Sequence, residues 1–172
     1  LFRSEHAYQG SALKAKSDAT DLLRRRNPDF IRAAQALHRA GAIPANSVES
    51  ALFGHEKGAF PGAFDRHIGA IQHADGGTLA LDEVDRLPMP VQERLLESLQ
   101  RGDVRPIGAR HSFRIDVRLI AASNLPLKEL ARGGHFLPEL LTAIAPATVH
   151  LPALRERTGD IPALARHFLA RI

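Results

Sequence analysis

The 172-residue chain contains no cysteine. A disulfide framework and a thiolate metal site are therefore excluded, and a reducing, cytoplasmic setting is expected. No apolar run approaches the ~20 residues of a membrane-spanning helix, and the N-terminus lacks a charged-then-apolar leader pattern, so no membrane contact is expected. The nine histidines show neither HExxH nor another ligand spacing, which argues against a dedicated metal centre. Clustered positive charge is also scarce. The formal net charge is +4, but only Arg24-Arg25-Arg26 stand together, so contact with DNA is expected only through a domain outside this chain.

What is present suits one globular unit: 44% of residues are hydrophobic and 24% charged. "NPDF" opens a helix, with Asn27 as N-cap, Pro28 at the first helical position and Phe30, Ile31, Ala34 and Leu37 on one face. "SVESALFGHEKGAF" reads as a short helix entering a glycine-punctuated loop. "GGTLALDEV" is an apolar run ending in two acids, the pattern of a buried strand that delivers carboxylates at its C-terminal edge. "MPVQERLLESLQRG" is an amphipathic helix with Val91, Leu95, Leu96 and Leu99 on its apolar face and Gly102 beyond its end. "DVRLIAASN" is a second buried strand with a polar end. "LPELLTAI", "ATVHLPAL" and "GDIPALARHFLARI" continue as helix, strand and helix. Strands alternating with helices argue an α/β fold with a mostly parallel sheet covered on both faces. Leu79, Leu81, Leu119 and Ile120 should be buried on adjacent strands.

The acids Asp82-Glu83 lie where open α/β sheets bind ligands. On their own they are either a solvated pair or the Mg²⁺-binding acid and the water-polarising acid of a P-loop nucleotidase. The order and spacing of "ESALFGHEKGAF", "GGTLALDEV", "DVRLIAASN" and "LPALRERTGDIPAL" decide between them. From about Ala42 onward the chain resembles the AAA+ central domain of sigma-54-dependent transcriptional activators, the bacterial enhancer-binding proteins. The resemblance implies a three-layer AAA+ domain over residues 1–172, with residues 1–41 as a divergent part in place of the P-loop region, residues 159–172 as the start of the lid, and the rest of the lid absent. It implies ATP or ADP with Mg²⁺ as cofactor, Mg²⁺ held by Asp82, Asp82 and Glu83 as the Walker B acids, and Ser123-Asn124 as the pair facing the γ-phosphate. The local alternative for that pair is an N-cap for "LPLKEL".

The resemblance also assigns Gly58, Ala59, Phe60, Pro61, Gly62 and Ala63 to the loop that touches sigma-54. In the family this loop reads GAFTGA, and here Pro61 replaces the threonine, removing a hydroxyl and a backbone donor and fixing φ. "RRRNPDF" falls where the family has its phosphate loop, GESGTGKE, so Walker A reads as absent. Leu137 and Ala143 replace the arginines supplied in trans, each of which is worth about 10³–10⁵ in rate. These departures imply a regulatory and interaction module with hydrolysis lost, partnered by sigma-54 RNA polymerase or another transcription component and self-associating through AAA+ surfaces. Two readings stand beside it: an active ATPase whose P-loop is missing from the chain, and a regulator responsive to cyclic di-GMP. The last rests on "LFRS", similar to the segment by which the flagellar master regulator FleQ contacts that ligand, with Arg3 available to stack on guanine.

Overall fold

The structure, a computed structural model, describes residues 4–9 and 45–169. Its centre is a four-stranded parallel sheet built from β1 (Ser4–Gln9), β4 (Thr78–Leu81), β7 (Arg118–Ser123) and β8 (Thr148–His150), in the order β4-β7-β1-β8. Two short antiparallel pairs lie outside it, β2 (Gly54–His55) with β3 (His67–Ile68) and β5 (Asp103–Val104) with β6 (Phe113–Arg114).

The apolar runs that lack alternation became the buried strands. Leu79 and Leu81 on β4 and Leu119 and Ile120 on β7 are all buried, and Leu79 lies opposite Leu119. A strand covered on both faces has no polar side to show, which is why the runs read as continuous. The unforeseen strand is β1, whose sequence Ser-Glu-His-Ala-Tyr-Gln has no such run. It nevertheless pairs with β7 on one side and β8 on the other.

Helices close the core. They are α1 (Ala45–Phe53), α2 (Ala70–His73), α3 (Met89–Arg101), α4 (Leu127–Arg132) and α5 (Pro138–Ile144), while α6 (Ile161–Leu169) follows with no buried residue. α3 buries Val91 and Leu95, packs Leu96 and Leu99 against the core, and stops at Gly102, whose φ of 64° is the left-handed conformation glycine adopts freely. The same helix carries Gln92, fully buried, whose amide donates to the Leu87 and His135 carbonyls at 2.7 and 3.3 Å and accepts from Leu137 N–H at 2.8 Å. One polar side chain thus ties α3 to the segment before it and to the turn at His135–Leu137. The helix expected from Asn27 lies outside the described residues, as do Arg24, Arg25, Arg26 and the segment aligned with the phosphate loop.

Candidate functional site

The parallel sheet sets three strand ends on one edge. Gln9, the last residue of β1, is opposite Ser123, the last of β7, while Leu81 of β4 is opposite Ala121. Two residues beyond Leu81, Glu83 therefore comes level with Ser123. The carboxyl edge of a parallel sheet, where the connections leave in different directions, forms the crevice in which α/β proteins take ligands. Here the chain enters β4 on one side of β7 and β8 on the far side of β1.

Asp82, Glu83, Ser123 and Asn124 are brought together at that edge. Glu83 N–H donates to Asp82 Oδ1 at 2.8 Å, and Asn124 Nδ2 donates to Glu83 Oε1 at 3.2 Å. Glu83 adopts φ 53°, ψ 42°, the only non-glycine positive φ among the described residues. Such backbone strain persists only where surrounding bonds over-determine it, and it gathers at functional sites. The capping alternative for Ser123-Asn124 is not what the structure contains: α4 begins after Pro126 with no side-chain cap. Ser123 Oγ instead lies 2.9 Å from Asp85 Oδ1 and 2.7 Å from Leu125 O, and accepts from Leu125 N at 3.1 Å.

Two residues that the motif reading did not single out complete this cluster. Asp85 Oδ1 also accepts from Asn124 N–H at 3.2 Å, and Arg86 Nη1 donates to Glu83 Oε2 at 3.2 Å. Both sit on the single 3₁₀ turn Val84–Arg86 that follows Glu83. A further signal in the sequence competes with the alignment of "RRRNPDF" to the phosphate loop and with the reading that Walker A is absent. Directly after β1 the chain reads Gly10-Ser11-Ala12-Leu13-Lys14-Ala15-Lys16-Ser17, which has the spacing GxxxxGK[ST] with alanine for the second glycine. Those eight residues lie outside the described ones, but the end of the strand that leads into them does not.

The Gly58–Ala63 loop lies apart from this edge, between β2 and β3. Gly58 N–H donates to Ala63 O at 2.8 Å and Ala63 N–H to Phe60 O at 3.0 Å, so the segment closes on itself. Phe60 is half-buried, with its ring edge-on to His55 at 4.9 Å. The aromatic presented to solvent is its neighbour Phe64, 80% exposed. At the stem, His55 pairs with His67, and Ser50 Oγ lies 2.6 Å from His55 Nδ1. A second loop, between β5 and β6, supports the first: Glu56 N–H donates to Ile107 O and Ile107 N–H to Gly54 O, both at 2.9 Å, and Gly108 has no room for a Cβ beside Ala59. Arg94 of α3 ties the second loop and α1 together, bonding Glu49 of α1 and the Arg105 carbonyl with its guanidinium 4.5 Å from the Phe53 ring centre. Arg3 lies outside the described residues.

The family model described as "Sigma-54 interaction domain" matches residues 20–150. The chain belongs to that family. Two relatives illustrate how near this sigma-54 interaction domain stands to known regulators. It is 46% identical over 149 residues to the DNA-binding transcriptional regulator NtrC of Azospirillum brasilense, covering 87% of this chain and 30% of that protein. It is 44% identical over 149 residues to the sigma54-dependent transcriptional regulator SfnR of Pseudomonas fluorescens (strain Pf0-1), covering 87% and 39%. Among solved structures, NtrX from Brucella abortus in complex with ATP superposes with a TM-score of 0.78 at 27% identity, covering 98% of this chain and 36% of that one. The sigma-54 interaction domain described here thus has the AAA+ α/β fold with its parallel sheet, and it spans less than two fifths of the length of each of these proteins.

Proposed function

We propose that the chain is the nucleotide-responsive contact module of a sigma-54-dependent transcriptional regulator, binding ATP or ADP at the carboxyl edge of its sheet without turning ATP over. The observation that carries this reading is the placement of β1. Its end stands beside Ser123, on the edge that also carries Glu83 and Asn124, and the residues that follow it keep the first glycine, the lysine and the hydroxyl of a phosphate loop. A strand running into GxxxxGK[ST] at a sheet's switch point is how this class of protein cradles phosphates.

On this reading Lys16 reaches the outer phosphates, and Ser17 with Asp82 holds the Mg²⁺ that arrives with the nucleotide. Asn124 and Glu83 face the terminal phosphate. The metal supplies charge neutralisation between the phosphates; the chain's own residues bind and orient. Ala15 in place of the second glycine puts a Cβ where backbone N–H groups approach phosphate, which weakens binding without removing the lysine. The donors on this edge suit a triphosphate, and similarity to NtrX, solved with ATP, supports the choice of ligand. Turnover is lost because Leu137 and Ala143 stand where the resemblance places the arginines supplied by a neighbour, a loss of about 10³–10⁵ in rate.

The sigma-54 contact is assigned to Gly58–Ala63, self-association to the AAA+ surfaces, and DNA binding to another domain. Residues 159–172 are the start of a lid, in keeping with the described part of α6 having no buried residue. The defining experiment is titration of the purified protein with ATP and ADP in Mg²⁺. Both should bind, Lys16→Ala should abolish binding of both, and the wild-type hydrolysis rate should equal that of Glu83→Gln. Binding unchanged by Lys16→Ala would move the phosphate site away from Gly10–Ser17. A rate that fell on Glu83→Gln would instead make the chain a working ATPase.

A further inference from the structure

Glu83 is held at both carboxylate oxygens. Asn124 Nδ2 donates to Oε1 and Arg86 Nη1 to Oε2, each at 3.2 Å. The two donors are unlike. Asn124 is neutral and is itself fixed, its N–H donating to Asp85 Oδ1, whose carboxylate also faces the Ser123 hydroxyl. Arg86 is charged, its side chain is 57% exposed, and Glu83 is its one ion-pair partner among the described residues. A solvent-exposed arginine–carboxylate pair is worth roughly 0–1 kcal/mol, because water and the side chain's own freedom compete with it. Arg86 is thus a guanidinium stationed at the crevice edge by a bond that is easily exchanged.

The backbone explains why it is stationed there. Glu83 leaves the strand in a left-handed conformation, and the 3₁₀ turn Val84–Arg86 follows at once. That turn is pinned to β7 through Asp85, so Arg86 stays within one turn of both Glu83 and the end of β7. A guanidinium prefers an acceptor with more charge and more oxygens, and the terminal phosphate of ATP exceeds a single carboxylate on both counts. ADP offers no terminal phosphate at that place.

We propose that Arg86 is the residue by which this chain distinguishes ATP from ADP: it leaves Glu83 for the terminal phosphate when ATP binds and stays on Glu83 when ADP binds. The proposal rests on the nucleotide reading above and adds to it a sensor supplied by the same chain. Arg86 would then touch the ligand directly, and its departure also frees one oxygen of Glu83.

The test is titration of the wild type, Arg86→Gln and Arg86→Lys with ATP and with ADP in Mg²⁺. Arg86→Gln should lower ATP affinity roughly 10-fold, the scale of one hydrogen bond to a charged group, and leave ADP affinity unchanged. Arg86→Lys should recover most of the ATP preference, because charge is kept although the planar fork is lost. Equal losses for both nucleotides, or an unchanged ratio in Arg86→Gln, would overturn the proposal while leaving the nucleotide site standing. Failure of the wild type to bind either nucleotide would overturn both.

Discussion

Glu83 holds a left-handed backbone that costs a residue with a Cβ about 1–2 kcal/mol, a cost glycine escapes. Its side-chain bonds to Asn124 and Arg86 are exposed, so they return little of it. Glu83→Gly should therefore raise the thermal midpoint, by about 2–4 °C for a gain of about 1 kcal/mol in a domain of this size. A lowered midpoint would mean that the two bonds outweigh the strain. A residue whose backbone costs stability fits a functional carboxylate. At this scale the site was partly legible. The four that the structure brings together at one sheet edge were legible: Asp82 and Glu83 as acids ending an apolar run, Ser123-Asn124 through the family resemblance. Asp85 and Arg86 were not: what they do depends on Glu83's unusual φ and on Ser123 and Asn124 lying across the sheet edge. Phe60 was legible as the loop's aromatic, but that Phe64 is the exposed ring was beyond reach, since which ring a loop tucks in depends on contacts such as that of His55 with Phe60.

Among the elements, the stem formed by β2 and β3 is the most sharply constrained. A Cβ at Gly69 would meet the Gly54 nitrogen at 2.3 Å and the Leu52 carbonyl at 2.4 Å, so the two ends of the hairpin touch through bare backbone. On this stem His55 and His67 face each other, ring centres 5.6 Å apart. The pKa of His67 is lowered from 6.5, by partial burial first, then by His55 and His73. A group whose folded pKa lies below its unfolded one binds fewer protons folded. Its contribution is therefore whole above pH 6.5 and is lost as pH falls from there through the folded value. Thermal midpoints between about pH 8 and pH 5 should fall on the acid side, and His67→Gln should flatten that part of the curve. Equal slopes in the two proteins would remove His67 as the cause. Elements such as β4, β7 and α3 were legible because burial on two faces leaves an unbroken apolar run and burial on one stripe leaves a helical period. β1 leaves neither: a short polar hexapeptide becomes a central strand only because two neighbours take its backbone, and the weakened motif after it lacks the second glycine that would have flagged it.

For the whole molecule the central relation is between the sheet edge, the proposed nucleotide site, and the loop between β2 and β3. Within that loop Phe60-Pro61-Gly62-Ala63 closes with Ala63 N–H on Phe60 O, and Gly62 has φ 101°. Proline second and a positive-φ glycine third are the residues a type II turn asks for, so Pro61 stiffens the closed form. Pro61→Thr should loosen it. Amide exchange at Gly58 and Ala63, whose hydrogen bonds close the segment, should quicken several-fold with the midpoint of the whole domain nearly unchanged. It should not by itself create retention of sigma-54, in ATP or without nucleotide. Raising such a loop against its own hydrogen bonds and the His55–Phe60 contact needs free energy, which the proposed loss of turnover would withhold. If sigma-54 were retained by Pro61→Thr only in the presence of ATP, binding alone would be enough to lift the loop. The stiff turn would then be the sole barrier between the nucleotide edge and the contact surface.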